Sequence, residues 1–144
     1  MIIAIDFDGT IVMHEYPEIG KLVPLAKEVI NTLIYNGHKC FLYTMRSDKT
    51  LIEAKNFCIS NGIKLCGWNE SPYQFSLSPK QYANIYIDDA ALGCPLKSDK
   101  CGRLFVDWLR VAENLKIIRA ITKNQYESLK KIYDDGKFES TDKR

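Results

Sequence analysis

Asp6-Phe7-Asp8-Gly9-Thr10 places two carboxylates two residues apart, directly after a run of aliphatic side chains. Such a pair can divide the labour of phosphoryl transfer. One oxygen attacks phosphorus, while the other carboxyl protonates the leaving oxygen and later activates water. Gly9 lets the chain turn sharply away from what precedes it. A carboxylate needs help to approach an anionic phosphate, and a divalent cation ligated by both offsets the repulsion. Asp88 and Asp89 add acidity, and an all-oxygen donor set suits Mg²⁺, which retains some of its waters. Thr44 can donate a hydroxyl hydrogen bond to the transferring group, and a lysine, taken as Lys80, can neutralise the covalent intermediate. Arg46 can clasp a substrate phosphate through its fork or cap a helix.

These residues are far apart in sequence, so the fold has to gather them. Ile2 to Ile5 is a short apolar run that suits a strand buried on both faces. Leu22, Leu25, Ala26, Val29, Ile30, Leu33 and Ile34 recur at three- and four-residue spacings and predict a helix, with Pro24 in its first turn and Gly37 at its exit. Cys40 to Tyr43 predicts the next strand. Thr50 and Glu53 form a capping box for a second helix, which Asn61-Gly62 closes. Ile63 to Cys66 is a weak third strand, and Asn84 to Ile87 a stronger fourth that ends at Asp88. Helices follow over Leu104–Leu115 and Gln125–Tyr133, and the charged tail from Asp134 to Arg144 is expected to fray.

Strands alternating with helices imply an α/β fold with a mainly parallel sheet, a Rossmann-like three-layer α/β/α sandwich. Such sheets bind ligands at the carboxyl ends of their strands. Asp6, Thr44 and Asp88 each stand just past a predicted strand, so they converge on one edge.

At this point the pattern resembles the haloacid dehalogenase superfamily of phosphatases, whose first motif is DxDGT. Asp6 to Thr10 matches that motif, Phe41-Leu42-Tyr43-Thr44 the second, and Ile85-Tyr86-Ile87-Asp88-Asp89 the fourth, covering roughly residues 1–100. The resemblance implies that Asp6 is nucleophile and metal ligand, and that Asp8 is general acid/base and a backbone metal ligand. It implies that Thr44 binds the phosphoryl group with Gly9 and Thr10 at the substrate, that Asp88 ligates Mg²⁺ directly, and that Asp89 acts through water. Lys80, in Ser78-Pro79-Lys80, is the motif lysine, with Lys64 and Lys97 as competitors.

The segments Thr10–Leu22 and Arg46–Lys80 are too short or too occupied to hold a separate cap domain, so residues 1–144 read as one capless domain. An open site suits phosphate on a protein or a nucleic-acid end, although a flap could still cover a small substrate. The phosphatase parts of polynucleotide kinase-phosphatases are similar in their first and fourth motifs, but they follow the acidic pair with arginine where Ala90 stands here. His14, Glu15 and Tyr16 fall in the flap position. Trp68, Asn69 and Glu70, with Pro72 and Tyr73, form a loop near the rim that either contacts the leaving group or anchors the loop.

Other classes fit less well. An EF-hand loop that puts Gly9 at its sixth position and Glu15 at its twelfth would have Ala4 as its first ligand and no entering helix. Carbon–halogen hydrolysis does not require Asp8 or the acidic pair. Receiver domains carry their acidic pair first, the reverse of this order. A binding module without turnover is the alternative from another class. Five unpaired-looking cysteines and no export signal suit a reducing cytoplasm, and nothing resembles a membrane span. A net charge of +2 does not suggest a dedicated nucleic-acid binder but excludes nothing, and nucleic acid is expected only as a substrate. The oligomeric state is left open.

Overall fold

The computed structural model describes residues 1–136; residues 137–144 of the expected frayed tail lie outside them. The aliphatic run forms β1 (Ile2–Ile5), which pairs in parallel with β2 (Lys39–Leu42) on one side and β3 (Ile85–Ile87) on the other. Ile3 stands opposite both Cys40 and Ile85, and Ile5 opposite both Leu42 and Ile87. The ladder runs one step further: Asp6 N–H donates to the Ile87 carbonyl (3.0 Å) and Tyr43 N–H to the Ile5 carbonyl (2.8 Å). Asp6, Thr44 and Asp88 therefore leave the sheet at the same edge. The order β2-β1-β3 makes β1 the switch point, from which the chain departs to both sides.

The first helix, α1 (Ala26–Tyr35), begins later than the periodicity suggests. Leu25 has φ 69° and serves as its cap, so Pro24 stands outside the helix. Leu22 is also outside, bridged to Val12, yet remains buried. The second helix, α2 (Asp48–Ser60), starts at Ser47 rather than at Thr50. Thr50 occupies the third helical position, where its hydroxyl accepts from Ser47 N–H (3.3 Å) and donates to the Ser47 carbonyl (2.8 Å). Residues 63–66 do not form the expected strand. Ile63 and Leu65 enter the core, and residues 66–69 lie beside β2: Cys66 N–H reaches the Cys40 carbonyl (2.8 Å), and Leu42 N–H the Gly67 carbonyl (3.0 Å).

Leu104-Phe105-Val106 is strand, not helix. It forms β5 (Leu104–Val106), antiparallel to β4 (Leu96–Ser98) across a turn containing Gly102 at φ 80°. The turn decides the matter, because Asp99 N–H bonds to the Arg103 carbonyl (2.9 Å) and closes a hairpin whose far strand is β-prone. Helix α3 (Trp108–Ile117) then starts behind Asp107, whose carboxylate accepts from Arg110 N–H (3.3 Å). Helix α4 (Lys123–Asp134) opens on a Thr122–Gln125 capping box two residues before the expected start.

Buried residues of α1, α2 and the two helices after the hairpin share one cluster with Ile3, Ile5, Cys40, Leu42 and Ile87. Ala4, Phe41 and Tyr86 alternate with those strand residues and stand outside that cluster. The 67–83 loop meets this second face: the Tyr86 hydroxyl donates to the Gln81 carbonyl and accepts from Ala83 N–H (3.1 Å). The architecture is thus α/β, with a small parallel sheet, helices packed on one face and a loop on the other. Among the described residues no helix is long and apolar enough to cross a membrane.

The hairpin is strapped to the loop after β1. Val106 N–H donates to the Gly9 carbonyl (2.9 Å), and buried Trp108 donates through Nε1 to the Thr10 carbonyl (2.7 Å). Trp108→Phe keeps most of the packing but orphans that carbonyl, so denaturant titration should show a loss of about 1–3 kcal/mol. A variant as stable as the parent would mean that the strap is dispensable.

Candidate functional site

Immediately after β1 the backbone folds into a tight turn, with the Phe7 carbonyl accepting from Ile11 (2.9 Å) and Val12 (3.0 Å) N–H. Gly9 sits at φ +78°, where an added Cβ would lie 2.7 Å from the Asp89 carboxyl carbon. Glycine is therefore required both for the turn and for the approach of the second acidic loop. Thr10 is fully buried and joins the two loops: its hydroxyl donates to Asp6 Oδ2 (3.2 Å) and accepts from Asp89 N–H (3.2 Å). Gly9 and Thr10, expected at the substrate, are both buried where the two acidic loops meet.

This arrangement brings Asp6, Asp88 and Asp89 together, one oxygen from each lying within 4.8 Å of the others. Burial, then the neighbouring Asp88 and Asp89 charges, push the Asp6 carboxyl up to about 7 against the pull of the Phe7 N–H and the Thr10 hydroxyl. Asp89 is raised by burial and by Asp88, and eased by His14. Asp88 accepts from Ala90 N–H (2.8 Å), which orients its carboxylate.

Asp8 points elsewhere, into a fork. Arg46 Nε donates to Asp8 Oδ2 (2.7 Å) and Nη2 to Oδ1 (2.8 Å). The guanidinium is 1% exposed and also donates to the carbonyls of Pro17 (3.1 Å) and Glu18 (2.6 Å). It lies between the Phe7 ring (5.0 Å to centroid) and the Tyr16 ring (5.2 Å). Its partners are thus protein groups, and it both orients Asp8 and ties down the 16–18 segment. A planar bidentate contact of this kind needs arginine.

Thr44 stands beside the acidic cluster, held by a side chain from the next segment. Asn69 accepts from Thr44 N–H (2.7 Å) through Oδ1 and donates through Nδ2 to the Arg46 carbonyl (3.1 Å). Asn69 is therefore the anchor of its loop rather than a contact for a leaving group, and its φ of 56° suits asparagine. Trp68 likewise faces Lys55, 5.7 Å from its ring centroid, and Tyr73 packs near Tyr82.

A pocket of about 570 Å³ opens over this floor, walled by His14, Tyr16 and Met45 and reaching Asp6, Asp88 and Asp89. Lys80 is not in its wall. The Lys80 ammonium lies over Tyr86 (5.3 Å to centroid), against a separate hollow formed by the 74–83 loop. Lys97 is held by Tyr133 (2.7 Å) and Asp107 (3.5 Å), and exposed Lys64 is likewise absent from the pocket wall. None of the three candidate motif lysines lines the pocket. With no helix between 62 and 85, Lys80 is carried on the loop that covers the far face of the sheet.

No family model matches the sequence, and no curated protein does. A solved structure, described as that of a conserved protein coded by a locus from Bacteroides thetaiotaomicron, is 32% identical and superposes with a TM-score of 0.67. The match covers 87% of this chain and 95% of that one. The chain belongs to the family of that protein. Because nearly the whole relative is spanned, the α/β core described here is the relative's core too.

The fork and the cluster each predict a measurable effect. Removing the guanidinium in Arg46→Ala leaves a largely buried carboxylate without its partner, which should cost about 3–5 kcal/mol in denaturant unfolding, and Arg46→Lys should recover only part of it. Equal stability of the lysine variant and the parent would show that the fork geometry is unimportant. Asp6 binds its proton more tightly folded than unfolded. In chelator-treated protein, stability should therefore fall as pH rises from about 4 to about 7, by an amount on the order of a few kcal/mol. Asp6→Asn should remove most of that slope in thermal melts, leaving the smaller part due to Asp89, whereas parallel profiles for the two proteins would mean that the Asp6 carboxylate is well solvated.

Proposed function

We propose that this chain is a Mg²⁺-dependent phosphomonoesterase working through an aspartyl-phosphate on Asp6. Its fold in this reading is a haloacid dehalogenase-like Rossmann sandwich whose second helical layer is reduced to the 67–83 loop. The observation that carries the proposal is the gathering of Asp6, Asp88 and Asp89 at one sheet edge, their oxygens within 4.8 Å.

The donor set fits Mg²⁺. Three hard carboxylates, each with an oxygen within 4.8 Å of the others, converge on one point, an all-oxygen set of the kind Mg²⁺ takes. Asp6, Asp88 and Asp89 would hold the ion, with the Asp8 backbone carbonyl as the further ligand that the resemblance implies. When bound, it supplies charge compensation between the attacking carboxylate and the phosphate.

The chain's own groups do the rest. An Asp6 oxygen forms the new bond to phosphorus as the bond from phosphorus to the ester oxygen breaks. Asp8 delivers its proton to the departing alkoxide, and Thr44 hydrogen-bonds the transferring group. Asp8 then takes a proton from water, which attacks the phosphoryl group and releases inorganic phosphate with Asp6 restored. The two N–H bonds from Arg46 fix the orientation of the Asp8 carboxylate. The first half needs Asp8 protonated and turned toward the leaving group. His14 is the basic side chain of the pocket wall that is not committed to the Asp8 fork, and it is the candidate for the part expected of Lys80.

An assay against an aryl phosphate tests the proposal. Turnover should need Mg²⁺, vanish in EDTA and fall at least about 10³-fold in Asp6→Asn and about 10²- to 10⁴-fold in Asp8→Asn. Hydrolysis that survives Asp6→Asn would sink the nucleophile assignment.

A further inference from the structure

The floor of the pocket is carboxylate, but its rim is not. Tyr16 is 56% exposed, with one side braced by the Arg46 guanidinium 5.2 Å from its centroid. That guanidinium is in turn fixed by Asp8 and by the Pro17 and Glu18 carbonyls, so the ring is presented on a rigid support rather than on a loose flap. Met45 lies in the same wall between Thr44 and Arg46 and is 97% exposed. Met45 thus offers apolar surface to the pocket next to the Tyr16 ring, which a ligand ring can cover. Methionine adapts to flat ring edges through its thioether, and a supported tyrosine offers a stacking face. A volume of about 570 Å³ fits a small-molecule ligand.

We infer that Tyr16 and Met45 form a binding subsite for a planar ring on the leaving group, making the substrate class small phosphomonoesters of aromatic or heteroaromatic alcohols and nucleosides. The inference rests on the phosphatase reading for its phosphate anchor. The ester oxygen lies at the acidic floor and the ring lies against Tyr16, with Met45 closing over its edge. An acyclic phosphate of the same charge reaches the floor but leaves both rim side chains wet.

Equilibrium binding to Asp6→Asn protein in Mg²⁺ reads the rim independently of turnover. Phenyl phosphate and glycerol phosphate serve as probes of equal charge, with a nucleoside 5′-monophosphate as a third. Phenyl phosphate should bind roughly three- to tenfold more tightly than glycerol phosphate. Adding Tyr16→Ala or Met45→Ala should erase most of that difference while leaving glycerol phosphate nearly unchanged, and adding Tyr16→Phe should preserve it. Equal binding of the two probes, no binding of either, or an equal loss on both in Tyr16→Ala would overturn the inference. If the preference and its loss are seen while wild-type protein hydrolyses neither probe, the subsite stands and the hydrolase reading falls. If Mg²⁺- and Asp6-dependent hydrolysis is seen without any preference, the reverse holds.

Discussion

Three carboxylates held within 4.8 Å of one another repel, and the rest of the molecule is arranged to tolerate that repulsion. The parallel ladder fixes the stems, since Asp6 is bonded through its N–H to Ile87 next to Asp88. Thr10 places one hydroxyl between the two acidic loops, and the absent side chain of Gly9 makes room for Asp89. Behind them the β4–β5 hairpin and Trp108 grip the same turn by its carbonyls. Core packing and these few hydrogen bonds keep the acidic groups together, and burial first, then the neighbouring Asp88 and Asp89 charges, raises the proton affinity of Asp6.

The fourth carboxylate is handled differently. Asp8 gets its own counter-ion from the loop between β2 and α2, and that counter-ion also organises the pocket wall. One buried guanidinium thus connects the acid–base position, the 16–18 segment and the ring face of Tyr16. Electrostatic pairing here is less a source of stability than a means of registering three separate chain segments. Asn69 does the equivalent work for Thr44 with an amide instead of a charge.

Among the described residues the sheet itself is minimal: three short strands, helices on one face and a loop on the other. Aromatic residues of the loop and the sheet face it, Phe41, Tyr43, Tyr82 and Tyr86, do the covering that a helical layer otherwise does. That choice removes Lys80 from the acidic edge. It also explains why the expected strand at 63–66 slides three residues along: Ile63 and Leu65 are drawn into the core, so only the residues after them remain free to pair with β2.

Period and composition made the strands β1, β2 and β3 and the helices α1, α2 and α4 legible to within a few residues, because a buried face leaves its spacing in the chain. The acidic edge was legible for the same reason, since Asp6, Thr44 and Asp88 follow strands whose ends can be read. Leu104–Val106 misled because three apolar residues suit either element, and only the hairpin turn and its partner strand settle the choice. Arg46 read equally well as a phosphate clasp or a helix cap. Its pairing with Asp8 spans 38 positions, and local pattern carries no trace of such a distance. Sequence alone therefore determined which chemical groups stand at the ends of which strands, a matter of short-range periodicity. Tertiary structure decided which of them meet, since meeting depends on which side chains lose their water to one another.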